Sequence, residues 1–221
     1  NVYAWDVWMI DLRSGEERLL ARDGNVPTWS ADGKAVFFQR NANQVVRIDV
    51  SSGKEKIVFQ SGSNIDVPPK TELQTPNVSG NGRLAVTVRR ALRATAIADP
   101  RGAFTKTGNG CQLTWAPGDR SLVKVDDGGN MGNTIFKVDA QTLEVEKLFD
   151  APGDYSHEYF PMIANTGDVL VYGASSEGHE HDTADYEIFL WGIGAPATEA
   201  VRLTHHTGND CWPDLYLRRP L

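Results

Sequence analysis

The sequence predicts an all-β fold of four-stranded antiparallel sheets, and three observations lead to that prediction. The first is a recurring strand–turn–strand unit, clearest at residues 26–38, where an extended run ends at Asp32-Gly33 and an apolar strand follows. The second is its spacing of about 40 to 50 residues, which is typical of β-propellers. The third is that apolar residues nowhere keep a helical period for more than about two turns.

The copies of this unit align on one anchor position in the first strand of each repeat. The anchors are Pro27, Pro76, Leu113, Pro161 and Pro213. A second pattern interleaves with the first, a third strand that ends in an aspartate at a tight turn, as at Asp11, Asp49 and Asp139. These aspartates are predicted to be structural, because an Asp side chain accepts backbone N–H bonds in such turns.

The repeats predict a single β-propeller domain over residues 1–221, with about five four-stranded blades. Four blades are continuous in sequence, at residues 24–60, 73–108, 109–152 and 155–206. The fifth is composite, because residues 1–23 hold the last two strands and residues 208–217 hold a first strand. We expect the C-terminal strand to join the N-terminal blade and close the ring, since closure removes an open sheet edge.

Residues 26–33 resemble the core of the PD40 repeat, the TolB-type relative of the WD40 repeat, which reads Pro-x-Trp-Ser-Pro-Asp-Gly before an apolar strand. Ala31 stands where that pattern has its second proline, and residues 114–119 match it with a Gly-Asp turn. The resemblance implies a propeller and little about activity, because this fold carries many unrelated functions. TolB-like propellers bind protein partners, so it also implies a protein partner or larger assembly, in the periplasm or outside the cell.

The composition limits the kinds of partner. The formal net charge is −7, and a nucleic-acid-binding surface would need a basic stripe, so no nucleic acid is predicted. No apolar run approaches the ~20 residues of a membrane span, so no transmembrane segment is predicted. Cys111 and Cys211 occupy equivalent positions on separate repeats. Two separate thiols are favoured, and a disulfide across the channel is the alternative.

Polar residues recur four and three positions before the anchors, where the inner strands begin. In a propeller these positions ring one mouth of the central channel, so they predict a ligand-binding set. Its members are Asp23, Glu72, Asn109, His157, Glu158, Asn209 and Asp210. The alternative explanation for these polar residues is that the channel mouth is simply exposed to solvent and binds no ligand. None of these residues is predicted to be catalytic.

All five histidines lie in the last third of the chain. In propeller topology their three segments emerge on the same face, so the imidazoles can converge, and neutral imidazole is a common ligand of transition metals. The candidate metal ligands are His157, His179, His181, His205, His206 and Asp182. A solvated polar loop with incidental histidines is the alternative.

Two functions are therefore considered. The preferred hypothesis is a non-catalytic recognition or assembly module that binds a protein partner through its loop-rich face and needs no cofactor. The alternative is a metal-dependent propeller enzyme that uses a divalent metal on a carbohydrate, because some polysaccharide lyases are similar to these repeats and hold a metal with histidines. Among the tryptophans, Trp29 and Trp115 are expected to pack between blades, and Trp8 and Trp191 to lie in the core.

Overall fold

A computed structural model of the chain describes residues 5–128, 132–178, 183–205 and 207–217. The chain forms two compact units, Asn1–Gly108 and Asn109–Leu221, each with its own sheets. Among the described residues the regular structure is almost entirely strand, with one short 3-10 turn at Ala197–Glu199. No helix in this part of the chain is long and apolar enough to cross a membrane.

The first unit contains one two-stranded sheet and two four-stranded sheets, in which consecutive strands pair antiparallel. The two-stranded sheet holds β1 (Val7–Ile10) and β2 (Glu17–Ala21). The next sheet holds β3 (Asn25–Trp29), β4 (Ala35–Arg40), β5 (Gln44–Asp49) and β6 (Glu55–Gln60). The third holds β7 (Thr71–Val78), β8 (Leu84–Arg90), β9 (Ala94–Ala98) and β10 (Phe104–Gly108).

The second unit contains two four-stranded sheets with the same consecutive order. One holds β11 (Cys111–Trp115), β12 (Ser121–Asp126), β13 (Thr134–Asp139) and β14 (Val145–Phe149). The other holds β15 (His157–Ile163), β16 (Val169–Ser175), β17 (Glu187–Gly192) and β18 (Val201–Arg202). Second strands such as β4 and β16 are buried along most of their length, because each lies inside its sheet and is covered on both faces.

Each anchor marks a β-bulge in the first strand of its sheet. The residue before every anchor has a left-handed backbone: the φ angles are 48° at Val26, 50° at Thr75, 56° at Gln112, 52° at Phe160 and 53° at Trp212. In all four four-stranded sheets the register between first and second strands shifts at this point. A bulge bends a strand and raises its twist, so the repeated anchor sets the shape of every first strand.

The threonine after an anchor joins neighbouring sheets within each unit. Thr28 Oγ1 donates to the carbonyl oxygen of Pro76 at 3.3 Å, and Thr114 Oγ1 donates to that of Pro161 at 2.9 Å. In both pairs, a residue one position past one anchor bonds to the next anchor along the chain. Within each unit, the first strands of the two four-stranded sheets therefore lie side by side at the same level.

The prediction of an all-β propeller with four-stranded sheets is confirmed, but the count of five blades is wrong. The described residues form four four-stranded sheets, one for each continuous blade range, and the separate sheet β1–β2. The sheet predicted for residues 73–108 begins two residues earlier, at Thr71. Residues 211–217 repeat the left-handed backbone before the anchor, at Trp212, but form no ladder, because no described second strand pairs with them. Ring closure by this segment and the single-domain organisation stay predictions.

The tryptophan predictions are partly wrong. Trp115 and Trp191 are buried as expected, but Trp8 and Trp29 are largely exposed. Trp8 is exposed because it points to the opposite face of β1 from Val7, and among the described residues it is the Val7 face that packs into a buried cluster.

The third-strand aspartates close their turns as predicted. The Oδ1 atom of Asp11 accepts the backbone N–H groups of Arg13 and Ser14, each at 2.8 Å, and Asp139 repeats this with Gln141 and Thr142. Asp49 accepts from the hydroxyl of Ser51 at 2.7 Å and from the backbone N–H of Ser52 at 2.9 Å. The bonds from Ser51 and then Ser52 hold the pKa of Asp49 well below its usual range.

Replacing Asp49 with alanine is expected to lower the thermal midpoint at neutral pH, because the ionised carboxylate organises the β5–β6 turn. A depressed folded-state pKa means that this stabilisation is present above about pH 4 and is lost as the pH falls through the folded pKa. The difference in melting between wild type and variant should therefore shrink in acid. Exposed Asp154, changed to alanine, is the control. Equal melting of wild type and Asp49→Ala at pH 7 would contradict the structural role.

Candidate ligand-binding edge

Two first strands, β11 and β15, and the extended segment at residues 211–217 lie side by side in the second unit. The Sγ atom of Cys111 is 2.6 Å from the hydroxyl oxygen of Tyr159, and both residues lie two positions before an anchor. The rings of Phe160 and Trp212, each one position before an anchor, have centroids 4.9 Å apart. The two strands and this segment are therefore in matching register, and their starting residues share one edge of the unit.

This register brings together four of the predicted site residues in the second unit. Asn109, His157 and Asn209 each stand four positions before an anchor, and Asp210 follows Asn209. These four residues are called the polar row below. Asn109 and Asn209 are exposed, whereas His157 and Asp210 are partly buried.

Hydrogen bonds with other residues of the chain hold the polar row in place. The ammonium group of Lys124, which is almost fully buried, donates to the carbonyl oxygen of Asn109 at 2.7 Å and to Asp126 at 2.9 Å. The backbone N–H of Asp210 donates to the carbonyl oxygen of Tyr186 at 2.9 Å. The Sγ–H of Cys211 donates to Oδ1 of Asn209 at 3.0 Å. The row is thus a fixed surface with exposed amide groups.

Glycine is required where the first strand of this edge begins. Gly110 has a φ of 95°, and a Cβ atom there would lie 2.2 Å from the carbonyl oxygen of Val125. Any side chain would push β11 away from β12 and move Asn109. The sequence marks this point only as a glycine between two polar residues.

Asp23 and Glu72 belong to the first unit and are described there. Glu72 forms an ion pair with Arg90 at 3.2 Å, and the backbone N–H of Asp23 donates to Asp6 at 3.2 Å. The bond between Thr28 and Pro76 sets β3 beside β7, so Asp23, just before β3, and Glu72, the second residue of β7, lie at the starts of neighbouring first strands. Whether they bind a ligand stays a prediction.

Glu158 is placed differently from the rest of the predicted set. Its side chain is 0% exposed, and one carboxyl oxygen accepts the backbone N–H of Ala151. The second oxygen, Oε2, has no hydrogen-bond partner among the described residues. Burial raises the pKa of Glu158 to about 8, with the nearby charge of Asp150 adding to the rise. The carboxyl group therefore belongs to the core, because it points to the opposite face of β15 from its neighbours His157 and Tyr159.

A buried ion pair at the same end of this sheet was missed in the sequence. Glu187 is fully buried at the start of β17, and its Oε1 accepts from the Arg202 guanidinium at 2.5 Å. Arg202 also donates to the hydroxyl of Tyr155 at 2.9 Å and to the carbonyl oxygen of Thr204 at 2.8 Å. Its guanidinium carbon lies 4.6 Å from the centre of the Tyr155 ring. The available signal was the position of Glu187 directly before four consecutive apolar residues in a predicted third strand.

The predicted convergence of strand ends is observed for the described residues. His157 at the start of β15 pairs with Ser175 at the end of β16, and Glu187 pairs with Ala174. His205 follows β18 and is exposed. His179, His181, Asp182 and His206 lie outside the described residues. Within the described ranges no three His, Cys, Asp or Glu side chains are grouped to hold a metal, so the metal site stays a prediction.

Cys111 and Cys211 are not joined by a disulfide in the structure, in agreement with the prediction of two separate thiols. Cys111 contacts Tyr159, and Cys211 donates to Asn209, so each thiol packs beside a first strand.

Repeated four-stranded meanders with a bulged first strand define the class of fold as that of the β-propellers. No protein-family model matches the chain, and no curated protein matches it. Solved structures do match. TolB from Acinetobacter baumannii aligns with a TM-score of 0.70 and 13% identity, over 93% of this chain and 50% of that one.

Two other propeller structures resemble the chain. An oligogalacturonate lyase in complex with manganese aligns with a TM-score of 0.59 and 17% identity, over 90% of this chain and 59% of that one. A structure of the mitotic checkpoint complex contains a chain that aligns with a TM-score of 0.54 and 15% identity, over 90% of this chain and 57% of that one. The chain thus spans between half and three fifths of these structures. The likeness confirms the TolB-type fold and carries no further conclusion about activity.

Proposed function

We propose that this chain is a non-catalytic recognition module that binds a protein partner through the polar row and the aromatic residues beside it. The observation that carries the proposal is the position of Glu158. A carboxyl group with a pKa of about 8 suits general acid–base chemistry near neutral pH. This one is fully buried and bonded to the backbone of Ala151, so a substrate at the polar row cannot contact it.

The surface around the polar row has the composition of a recognition site. Asn109 and Asn209 present exposed amides, which donate and accept hydrogen bonds. Trp212 and Tyr216 are largely exposed on the adjoining segment. Aromatic residues are enriched at protein interfaces and often dominate their binding energy, and asparagine supplies adaptable hydrogen bonds in binding surfaces.

The backbone that carries these side chains is already ordered. Leu217 and Asn165 exchange two hydrogen bonds, at 2.7 and 3.1 Å, and these fix the end of the segment. A surface that is already ordered before binding loses less conformational entropy when the partner binds. A chain of the mitotic checkpoint complex shares this fold and is part of an assembly, which agrees with a role in an assembly here. The resemblance of residues 26–33 to the TolB-type repeat favours the periplasm or the outside of the cell as the location. The negative net charge disfavours nucleic acid as the partner.

The second candidate is a metal-dependent enzyme that acts on an acidic carbohydrate. It is favoured by the fold likeness to the manganese-bound lyase and by the histidines at one end of the last sheet. His157 and His205 are its described candidates, and they do not complete a ligand set with other described residues. If a divalent metal is bound there, it would act as a Lewis acid on the substrate.

Photo-crosslinking separates the two functions. A photoreactive residue is placed at Asn209 in one variant and at Gln141 in another, because the β13–β14 turn lies at the opposite end of its sheet from Asn109. We expect one protein to be captured in cells from position 209 and not from position 141. The purified partner should then bind wild type at least about tenfold more tightly than Asn109→Arg with Asn209→Arg.

The same preparation is tested for metal and for lyase activity. Elemental analysis and manganese titration on wild type and His157→Ala should give no difference between the two chains. Oligogalacturonate incubated with the manganese-supplemented protein should stay uncleaved. Cleavage that disappears in His157→Ala would overturn the recognition proposal in favour of the enzyme, and so would stoichiometric manganese lost in the same variant.

A further inference from the structure

The connection between β6 and β7 is long for a step from one sheet to the next. Ten residues, 61–70, join these strands, whereas three residues join β2 to β3 and two join β10 to β11. A passage between neighbouring sheets needs only the shorter length, so the additional residues are available for another purpose. Binding residues in proteins lie disproportionately on such loops, held in place by a rigid scaffold.

Hydrogen bonds and buried side chains fix the conformation of this connection. The side chain of Asn64 accepts the backbone N–H of Gln60 at 2.7 Å and donates to the carbonyl oxygen of Val58 at 2.9 Å. Ile65 and Val67 are buried in the hydrophobic core of the first unit. The connection is therefore an ordered part of the unit, and its exposed side chains project from a fixed backbone.

The connection and the β9–β10 turn together form a pocket of about 480 Å³, lined by residues 62–67 and 101–103. The backbone N–H of Asp66 donates to the carbonyl oxygen of Gly102 at 3.0 Å and joins the two segments. Gly102 permits this close approach, because a Cβ atom there would lie 2.1 Å from the carbonyl oxygen of Asn64. The volume is within the range of pockets that bind small molecules.

Two opposite charges line this pocket without pairing with each other. Arg101 pairs with Asp99 at 3.2 Å through Nε and Nη2, and its Nη1 group has no partner among the described residues. Within the same part of the chain, the exposed carboxylate of Asp66 accepts no hydrogen bond and forms no ion pair. The pocket therefore offers both an acceptor for a cationic group and a donor for an anionic group.

We propose that this pocket binds a small zwitterion with the chemistry of a free amino acid or a dipeptide. The ammonium group of the ligand pairs with Asp66 and its carboxylate pairs with Arg101, both through charge-assisted hydrogen bonds. Asp66, Asp99 and Arg101 carry two negative charges and one positive charge, so an anion without an ammonium group is disfavoured. The site uses no residue of the polar row and is independent of the proposed recognition surface.

NMR titration of the ¹⁵N-labelled full chain is the direct test. The probes are the common amino acids, each alone, and glycylglycine, at millimolar concentration. We expect at least one probe to give saturable amide shifts confined to residues 62–67 and 101–103. The N-acetyl form of that probe lacks the ammonium group, and its C-terminal amide lacks the carboxylate. Each should bind at least about tenfold more weakly than the parent compound.

Variants of the protein locate the site. Asp66→Asn and Arg101→Gln should each weaken binding at least about fivefold, while Asp154→Asn and Arg13→Gln, which change exposed charges elsewhere, should leave it unchanged. Ala103→Trp places a large side chain at an exposed position of the pocket lining and should abolish binding. The melting temperature of each variant is measured, and those that melt like wild type are compared.

Three results would overturn the proposal. The first is the absence of saturable shifts with every probe. The second is equal binding to wild type and to the Asp66, Arg101 and Ala103 variants. The third is binding that depends on Asp66 alone and is the same for the parent probe and its amide, because the ligand would then be a simple cation.

Discussion

Replacing Arg202 with alanine is expected to lower the free energy of unfolding by about 3 to 5 kcal/mol, the cost typical of breaking a buried ion pair. Glu187 is fully buried, and Arg202 is its only charged partner among the described residues. The variant leaves that carboxylate in the core without its counter-charge. It also removes the bonds from Arg202 to Tyr155 and Thr204, which hold the two-residue strand β18.

Chemical denaturation of matched variants measures this effect. Lys137→Ala breaks an exposed ion pair with Glu146 and should cost no more than about 1 kcal/mol. The double variant Arg202→Met with Glu187→Leu should recover most of the loss, since apolar residues of similar volume can replace a buried pair. An Arg202→Ala chain as stable as Lys137→Ala would show that the pair contributes little.

The repeat in the sequence was sufficient to predict the sheets because its features are local. An Asp-Gly turn, an apolar second strand and an aspartate at the end of a third strand each act within a few residues. Pro27 and its equivalents also predicted where neighbouring first strands meet, as Thr28 and Pro76 show. The row formed by Asn109, His157 and Asn209 follows from the same alignment, because equivalent positions in register share an edge.

Burial was less predictable, because it depends on packing against residues that are distant in sequence, and local patterns do not identify those residues. Trp8 has the sequence environment of a core residue and is exposed because it lies on the face of β1 opposite to the buried Val7. Glu158 occupies a position expected to be polar and is buried by strand alternation. The count of five blades failed for the same reason, since residues 211–217 have the backbone of a first strand without a second strand beside them.

The Glu158 carboxyl group should make the stability of the protein fall as the pH rises from about 4.5 to about 8. Its pKa is 4.5 in an ordinary environment and about 8 in the folded chain, so the folded state holds a proton that the unfolded state releases. Stability from this group is full below pH 4.5 and is lost as the pH rises through 8. The change over that interval is on the order of 5 kcal/mol.

Glu158→Gln removes the titration while keeping an oxygen that can accept the Ala151 N–H. The difference in unfolding free energy between variant and wild type should therefore grow in favour of the variant between pH 5 and 8 and level off above it. Exposed Glu144, changed to glutamine, should leave the wild-type profile intact. Parallel pH profiles for wild type and Glu158→Gln would mean that the carboxyl group is already ionised in the folded chain. Charge on Glu158 would then require water or an opening of the core at this position, and the buried carboxyl would no longer argue against catalysis at the polar row.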